Sequence, residues 1–404
     1  MTIHRFVHIG DTHVQSSHPR NQDRLDALDQ IIAFGESHEV SAWIYPGDLY
    51  HTKSTPEDRN AMVERIRRLA TWAPVVVVQG NHDAPGDLDV FGRLATVHGV
   101  HVVTTPEVIT IATTTGHANI ACLPYPNRGG LVAAGISHDL LGQEAKAPLE
   151  AIFRMLADKL AQDRHPDSPE LFIGHVNVAG AVMSTGQPSI GQEIELDERL
   201  LQLFGPIPKL LNHVHRAQEL GGAIYAGSIC RLDFGEQEIK GFNVVEYDGT
   251  RQPGQLADWL QWSWQFVPLK VPAQLHVEGR LTRDGFLCDP IDPFLIGGAD
   301  IRVQYTFKKA EVGVLDVGHI HRAFEGCRSL KLDPIPELEH SIRAPELLTA
   351  QTIPEKVAVY AASQGLAWGA CLESKLQLLL DPHADAVATV TTCAAEAGRE
   401  PELR

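Results

Sequence analysis

The sequence is defined first by features that it lacks. It contains no run of about eighteen apolar residues, so no membrane-spanning helix is expected. Its 6 cysteines stand singly and form no CxxC pair, which argues against a zinc site built on thiolates and suits reduced thiols. The opening stretch MTIHRFVHIGDTH lacks the small-residue cleavage site that ends a signal peptide. Together these absences predict a globular protein of the cytoplasm.

Positive charge is also scarce. There are 34 Lys and Arg residues against 51 Asp and Glu residues, which leaves a formal net charge of −17. A chain this acidic does not bind nucleic acid through bulk attraction to phosphate. If its substrate is DNA, metal ions, a local basic face or a partner protein must supply the positive charge. Histidine, in contrast, is abundant, with 20 residues.

The pattern of apolar residues predicts an α/β fold. At 404 residues the chain is too long for one ordinary core, so two or three domains are expected. Over the first 250 residues, roughly, strand-like runs such as PVVVVQGNHD alternate with helical periodicity, as in RLDALDQIIAFGES. A turn-rich break, further strands and two amphipathic helices follow. We therefore expect domains at residues 1–262, 263–345 and 346–404, with a frayed tail.

Carboxylate, amide and imidazole side chains follow five of the predicted strands. In open α/β sheets, ligands gather at the carboxyl ends of strands. The donors placed there are Asp11, His13, Asp48, Asn81, His175, His213 and His215. Such a set suits two metal ions that share one carboxylate, and the lack of thiolate favours manganese, iron or zinc. Two such ions form a clamp for in-line displacement at phosphorus.

Each of these motifs is weak when taken alone. A single DxH or GD pair occurs in many proteins, and GNHD is compatible with an ordinary turn in which Gly and Asn adopt positive φ. The order of the motifs, each behind a strand-like segment of one α/β unit, favours a shared site over a set of unrelated loop residues.

This ordered set resembles that of the calcineurin-like metallophosphoesterases. Three longer stretches are similar to the SbcD nucleases of that family: GDLYH, GHVNVAGAVMSTGQ and YAGSICRLDFGEQEIKGFNVVE. The resemblance is strong over the first 250 residues, roughly, and weaker towards residue 345. It implies a layered α/β sandwich in which helices flank two mixed sheets. A smaller α+β capping domain and C-terminal helices that bind a partner would follow.

The same resemblance implies a role for each donor. The first metal ion would be held by Asp11, His13, Asp48 and His215, and the second by the bridging Asp48 with Asn81, His175 and His213. Both ions would be divalent, with Mn²⁺ the expected metal. His82 would be the catalytic imidazole, oriented by Asp83, since histidine exchanges protons near neutral pH. His51 matches a histidine near the scissile phosphate, and is equally compatible with an ordinary loop position.

The implied activity is that of a manganese-dependent DNA phosphodiesterase in repair or recombination. It would act as an exonuclease on duplex ends and as an endonuclease on hairpins or single strands. Its partner would be an SbcC-like coiled-coil ATPase, with a homodimer of this chain inside a heterotetramer and no membrane contact. Two alternatives stay open: a phosphatase or cyclic-nucleotide phosphodiesterase of the same fold, and a catalytically silent scaffold for an ATPase.

Two His-x-His pairs compete for the metal site. His213 and His215 follow an apolar run in an extended segment, where residues two apart point the same way. His319 and His321 lie in a stretch with helical spacing, where two residues span about 200° of rotation. We therefore expect only the first pair to bind metal. Its preceding residue is Asn212 where the family has Gly, and Asn tolerates the left-handed turn that Gly would permit.

Two further stretches have more than one interpretation. Arg59, Arg65, Arg67 and Arg68 lie on one predicted helix, which is ordinarily a solvated face and alternatively part of a dimer or DNA interface. Trp262, Trp264 and Phe266 alternate along a predicted strand. That arrangement favours a domain interface over base stacking.

Overall fold

The computed structural model describes residues 3–126, 146–164, 168–187, 195–250, 261–337, 350–365 and 369–380. Its strands are β1 (Ile3–His8), β2 (Ala42–Tyr45), β3 (Val75–Val78), β4 (Val100–Val103), β5 (Glu107–Thr113), β6 (Gly116–Leu123), β7 (Glu170–His175), β8 (Asn177–Val178), β9 (Glu195–Leu196), β10 (Lys209–Asn212), β11 (Gln218–Leu220), β12 (Ala223–Tyr225), β13 (Gly241–Asp248), β14 (Trp262–Pro268), β15 (Gln274–Thr282), β16 (Gly285–Cys288), β17 (Asp300–Lys308) and β18 (Ser329–Glu337).

The helices are α1 (Asn21–Ser37), α2 (Pro56–Trp72), α3 (Lys146–Gln162), α4 (Glu198–Leu201), α5 (Pro293–Ile296), α6 (Gly318–Ala323), α7 (Ile353–Ser363) and α8 (Ala370–Leu380). The last two are the amphipathic helices predicted near the C-terminus. The tail predicted to be frayed lies outside the described residues.

Two six-stranded mixed sheets dominate the first part of the chain. The first has the order β14-β13-β1-β2-β3-β4, and the second has the order β11-β12-β10-β7-β6-β5. Strands β1 to β4 run parallel, as do β6, β7, β10 and β12. The carboxyl ends of parallel strands therefore meet at one edge of each sheet. The predicted fold class is confirmed.

Alternating side chains on the strands build three apolar layers. Phe6, Ile44 and Ile173 belong to the layer between the two sheets. Trp43 belongs to the layer between the first sheet and helices α1 and α2, and Phe172 to the layer between the second sheet and α3. Because successive strand residues point to opposite faces, an all-apolar strand such as β3 contributes to two layers. The result is a sandwich of helices, sheet, sheet and helix.

Helix α2, the predicted helix that carries the four arginines, has a capped start and buries its apolar face. Thr55 and Asp58 form a capping box, with Pro56 at the first helical position. The buried residues include Met62 and Ile66. The helix is therefore fixed by local signals at its start and by packing along its length.

The arginines of α2 are engaged in local ion pairs. Arg65 and Arg68 both contact the carboxylate of Asp29 on α1, at 2.7 and 2.6 Å. Arg67 lies 3.5 Å from Glu64 in the same helix. Because neighbouring carboxylates already balance these charges, the structure favours an ordinary solvated face over a DNA-binding one.

Strand β14 extends the first sheet beyond residue 262. It pairs antiparallel with β13 along its whole length. The Trp262 ring is buried in the layer between the sheets, near Phe6. Trp264 Nε1 donates to the Glu219 carboxylate at 2.6 Å, and Glu219 lies on β11, the edge strand of the second sheet. This strand therefore joins the two sheets, a correction to its predicted place in a separate capping unit.

A third sheet, with the order β16-β15-β17-β18, follows. Val277, Ile301 and Ile320 share its core, the last on helix α6. Arg328 donates to Asp23 of α1 at 2.7 Å and to Asp300 of β17 at 3.1 Å, which ties this sheet to the first helix. The mixture of strands and short helices matches the α+β content predicted for this region.

The chain divides into two compact units. One comprises residues 1–307 and 314–335, and the other comprises residues 308–313 and 336–404. Most of the third sheet thus belongs to the same unit as the double sheet, while α7 and α8 belong to the other. Within the described ranges, no helix has the length and apolarity needed to cross a membrane.

Candidate metal centre

The seven predicted donors come together where the parallel strands end. In the first group, Nε2 of His13 and Nε2 of His215 lie 3.0 Å apart. Nε2 of His215 lies 3.7 Å from Oδ2 of Asp11. One ligating atom from each of these three buried residues lies within 4.8 Å of the others. The segments that follow β1 and β10, one from each sheet, therefore supply one compact set of donors.

A second group adjoins the first. Oδ1 of Asn81 lies 2.9 Å from Nε2 of His175 and 3.0 Å from Nδ1 of His213. Nε2 of His175 lies 3.3 Å from Oδ2 of Asp48. These distances bring together the ends of β2, β3, β7 and β10.

Asp48 touches both groups. Its Oδ2 lies 3.6 Å from Nε2 of His13 in the first group and 3.3 Å from Nε2 of His175 in the second. Oδ1 of Asp11 is buried and has no hydrogen-bond partner among the residues that the structure describes. A buried carboxylate oxygen with no donor, among convergent imidazole and amide atoms, fits a divalent cation. The residues present are therefore suited to hold two metal ions.

The electrostatics of the site also fit cations. Burial raises the pKa of Asp11 well above its usual range. Burial acts the same way on Asp48, but His175 and His13 outweigh it and hold the pKa of Asp48 below its usual range. Burial opposes protonation of His175, yet the Asp48 carboxylate prevails and raises the pKa of His175 to about 9. A proton on His175 and a metal cation would stabilise Asp48 in the same way.

The rings of His13 and His215 are held neutral. Burial lowers the pKa of His13 well below its usual range and that of His215 to about 3. Neutral imidazole is the form that binds metal ions.

Two glycines allow the strand ends to approach closely. A Cβ on Gly80 would overlap Oδ1 of Asp48, and one on Gly47 would lie 2.6 Å from Nδ1 of His175. Gly47 also has φ of 102°, in the left-handed region. Any side chain at either position would displace a candidate ligand.

Three of the candidate ligands carry backbone strain. His13, Asp48 and His213 have φ of 52°, 54° and 100°, and they are the non-glycine residues with positive φ in the described part of the chain. Such conformations cluster at functional sites because the surrounding structure must hold them.

His82 and His51 lie beside the first group. The His82 ring lies edge-on to His13 at 4.7 Å and stacks on His51 at 5.4 Å between centroids. Nδ1 of His82 lies 2.6 Å from the carbonyl oxygen of His51, so Nδ1 must be the donor. The three rings also bring ligating nitrogens within 4.8 Å of one another.

The predicted role of Asp83 requires correction. Its carboxylate accepts from the backbone N–H groups of Asp48, Tyr50 and Gly80, at 2.9, 3.1 and 3.0 Å. The His82 ring is oriented instead by the His51 carbonyl. Burial raises the pKa of Asp83 to about 7, and the nearby Asp48 carboxylate adds to the rise. Asp83 therefore shapes the loops that carry Asp48 and Asn81 rather than the imidazole.

Asn212 and His213 also differ from expectation. Asn212 is the last residue of β10, and the left-handed conformation falls on His213. His213 and His215 therefore reach the site across a bend rather than along an extended chain. The buried Asn212 side chain donates to the Ile9 carbonyl at 3.0 Å and accepts from His8 at 3.0 Å. A glycine could make neither contact.

Two residues that the sequence analysis passed over hold the His-x-His bend. The amide of Gln187 donates to the His213 carbonyl at 2.7 Å and accepts from the His215 N–H at 3.0 Å. Nζ of the buried Lys240 donates to the His215 carbonyl at 3.1 Å and lies 2.6 Å from Glu236. Gln187 and Lys240 both lie in stretches that resemble SbcD, and this resemblance is the sequence feature that could have pointed to them.

The second His-x-His pair lies elsewhere, as predicted. On helix α6, His319 is half-buried and His321 is exposed. Nδ1 of His319 contacts Arg322 at 3.1 Å, and Asp316 contacts the same guanidinium at 3.0 Å. Neither histidine belongs to a group of potential ligands among the described residues.

Comparison with known proteins identifies relatives. The protein is similar to the SbcD subunit of the nuclease SbcCD from Bacillus subtilis (strain 168), with 23% identity over 63% of this chain and 68% of that protein. It is similar to the corresponding subunit from Escherichia coli (strain K12), with 26% identity over 57% of this chain and 62% of that protein. The DNA double-strand break repair protein Mre11 of Haloferax volcanii is 28% identical over 60% of this chain and 49% of that protein.

The chain thus spans between about half and two thirds of the length of these relatives. Among solved structures, TT1561 of Thermus thermophilus matches with a TM-score of 0.36 and 12% identity, over 66% of this chain and 99% of that one. The model of the family described as calcineurin-like phosphoesterase matches residues 4–206, half of the chain. That match includes strands β1, β2, β3 and β7 and the candidate ligands at or after their ends, Asp11, Asp48, Asn81 and His175. The protein therefore belongs to the calcineurin-like phosphoesterase family, as its sequence pattern predicts.

Proposed function

We propose that the protein is a metal-dependent DNA phosphodiesterase of the SbcD type, which cuts DNA ends and hairpins. One observation carries the proposal: two adjoining groups of buried oxygen and nitrogen donors share Asp48, with the His51 and His82 rings beside them. The relatives named as SbcCD nuclease subunits and as Mre11 support DNA as the substrate.

The proposed ligand sets follow the two groups. The first ion would be held by Asp11, His13, Asp48 and His215, and the second by Asp48, Asn81, His175 and His213. Two divalent cations there, Mn²⁺ in the first instance, would neutralise charge on the phosphoryl oxygens and activate water for in-line attack. The chain's own contribution is geometric: loops from both sheets hold the donors in a buried space, where electrostatic interactions are strong.

In this proposal His82 is the residue that transfers a proton to the leaving oxygen. Its Nδ1–H is held by the His51 carbonyl, so Nε2 is the atom available to protonate or stabilise the leaving oxygen. The His51 ring, stacked on His82, limits the positions that a scissile phosphate can take beside it. Asp83 contributes indirectly, through the three backbone amides that it holds.

Partners complete the proposal. With a net charge of −17, the chain is expected to borrow DNA affinity from an SbcC-like ATPase. Helices α7 and α8 expose apolar residues such as Tyr360 and Leu379, which suits a partner-binding role for residues 346–404. A homodimer inside a heterotetramer and a cytoplasmic location belong to the same proposal. Four cysteines in the described residues are free thiols, which suits a reducing compartment.

A nuclease assay tests the function. Linear duplex and hairpin DNA are incubated with Mn²⁺ and either the wild type, His82→Ala or the surface control His319→Ala. Cleavage by the wild type and the control, with loss in His82→Ala, is the expected result. Turnover of p-nitrophenyl phosphate without DNA cleavage would establish the phosphatase alternative. No cleavage of either substrate, with or without the ATPase, would favour the scaffold.

A further inference from the structure

Asn212 occupies the junction of three segments that end in candidate ligands. Its backbone pairs with His175 on β7, and the next residue is His213. Its fully buried side chain crosses to the first sheet, where Nδ2 donates to the Ile9 carbonyl at 3.0 Å. Oδ1 lies 3.0 Å from Nε2 of His8. One side chain therefore links β10 and β7 to β1, whose loop carries Asp11.

The direction of each hydrogen bond in this network is determined. Because Asn212 Nδ2 donates to a carbonyl, Oδ1 must be an acceptor, and Nε2 of His8 must carry the proton. Nδ1 of His8 then accepts from Nδ2 of Asn243, which lies 3.4 Å away. Burial lowers the pKa of His8 to about 4, so its ring is neutral at physiological pH. This pair of buried side chains is termed the His8–Asn212 interlock.

Through Ile9, the interlock is also linked to the strand that precedes Asp48. Ile9, whose carbonyl accepts from Asn212, donates its own N–H to Ile44 on β2 at 2.8 Å. Strand β2 leads directly to Asp48. The interlock thus connects, through single hydrogen bonds, the ends of strands that carry ligands of both groups.

Other hydrogen bonds also join the two sheets at these strand ends. The His213 N–H donates to the Asp11 carboxylate at 3.1 Å, and Nδ1 of His175 donates to the Pro46 carbonyl at 2.7 Å. The interlock adds directional hydrogen bonds from fully buried side chains, which fix a separation more sharply than apolar contacts do.

We propose that Asn212 and His8 are positioning residues of the metal centre, which hold the ligand-bearing ends of the two sheets at the separation that two cations require. The inference rests on the proposed function, because it presumes the two-metal centre. Hydrogen bonds that orient ligands from outside the coordination sphere commonly change metal affinity by about 10–100-fold. Removing Asn212 should therefore weaken Mn²⁺ binding by that factor, although Asn212 itself contacts no metal.

The test is a calorimetric titration of the metal-free full chain with Mn²⁺. Asn212→Ala is compared with Asn119→Ala, a matched control in the same sheet. Asn119 is also buried, donates to the Asp163 carbonyl at 3.0 Å and accepts from Thr110 at 2.8 Å. It pairs with Glu170 at the start of β7, roughly 16 Å along the strand from His175. Both variants lose two hydrogen bonds made by a buried asparagine side chain, but only Asn212→Ala loses them beside the candidate ligands.

The expected result is two Mn²⁺ ions on the wild type, an affinity loss of about 10–100-fold in Asn212→Ala, and unchanged affinity in Asn119→Ala. Equal decreases in melting temperature in the two variants, with unchanged Mn²⁺ affinity, would show that Asn212 has only a structural role and would overturn the inference. A wild type that binds fewer than two ions would instead contradict the proposed function.

A second pair of variants covers the case in which Asn212→Ala fails to fold. In His8→Gln the amide nitrogen takes the place of Nε2 and still donates to Asn212, whereas His8→Leu donates nothing. Mn²⁺ affinity near that of the wild type in His8→Gln, with weaker binding in His8→Leu, is the expected pattern. Equal Mn²⁺ affinity in the two His8 variants would exclude a positioning role for this hydrogen bond.

Discussion

The two His-x-His pairs make an instructive comparison, because NHVHRA and GHIHRA are nearly the same peptide in two settings. The first leaves β10 at Asn212 and bends at His213, so His213 and His215 point into the ligand groups. The second begins helix α6, where its histidines lie apart from any such group among the described residues. Backbone conformation, rather than the identity of the residues, separates the two.

The neighbours enforce that difference. Gln187 bonds the backbone at both His213 and His215, which holds the bend open towards the other ligands. At the second pair the contacts are local and exposed, with Asp316 and Arg322 of the same short segment. A histidine pair becomes a ligand pair when distant parts of the chain hold its backbone in place.

The largest expected effect comes from removing each pair in turn. His213→Ala with His215→Ala should lower DNA hydrolysis by about 10³-fold or more, because metal ions supply several kcal/mol of transition-state stabilisation. His319→Ala with His321→Ala should leave the rate within about twofold, as for ordinary surface changes. Initial rates on linear duplex DNA with Mn²⁺ provide the measurement. Comparable losses in both double variants would refute the distinction drawn between the pairs.

Metal ions should stabilise the double sheet through Asp48. At 100 times the dissociation constant, each bound ion adds about 2.7 kcal/mol, so two ions add about 5 kcal/mol. That corresponds to a rise in melting temperature of roughly 7 °C for a unit of this size. Scanning calorimetry with and without Mn²⁺ measures it. Asp48→Asn should lose most of the rise, whereas Asp316→Asn, beside the second pair, should retain it all.

Replacing His82 should lower the rate of DNA hydrolysis without changing the affinity for Mn²⁺. His82→Gln should lower DNA hydrolysis by about 10²-fold, the usual contribution of a positioned proton donor. Mn²⁺ affinity by calorimetric titration should remain close to that of the wild type. His319→Gln is the matched control and should be silent in both assays. A weaker Mn²⁺ affinity in His82→Gln would reassign His82 as a ligand.

The smallest expected effect is on the pH dependence of stability through His8. Its pKa is about 4 in the fold and 6.5 in the unfolded chain, so only the unfolded chain gains the proton as the pH falls below 6.5. This contribution is therefore present above pH 6.5 and is lost on acidification, by about 2 kcal/mol between pH 7 and pH 5. Urea unfolding at the two pH values should show a shallower decline for His8→Gln than for the wild type. Parallel slopes in the two proteins would exclude the His8 contribution.

The sequence predicts much of this fold because its signals are local. The apolar run PVVVVQGNHD contains strand β3, and the helical periodicity of RLDALDQIIAFGES corresponds to helix α1. The position of β14 in the first sheet is not predicted by the pattern, because β14 joins that sheet by pairing with β13, a contact that periodicity does not reveal. The same limit explains why Gln187 was missed, since its role depends on a bend that lies 26 residues further along the chain.

The sequence predicts which side chains cluster at the strand ends better than it predicts their hydrogen-bond partners. Strand-end placement finds the donors, because parallel strands bring their ends together whatever the loops do. The partner of a side chain is harder, as Asp83 shows: its carboxylate serves three backbone amides that only the folded loops bring near. The sequence indicates only that Asn212 tolerates a left-handed backbone. The structure shows that its side chain forms hydrogen bonds with Ile9 and His8.

The left-handed backbone at His13, Asp48 and His213 sets stability against function in this protein. Glycine at any of these positions would relax the backbone conformation, but it would remove the contacts of a buried side chain and increase the conformational entropy of the unfolded chain. It would also delete a metal ligand. The most strained backbone positions of the described chain thus coincide with candidate ligands, so the residue that the backbone favours cannot replace the side chain that the proposed chemistry needs.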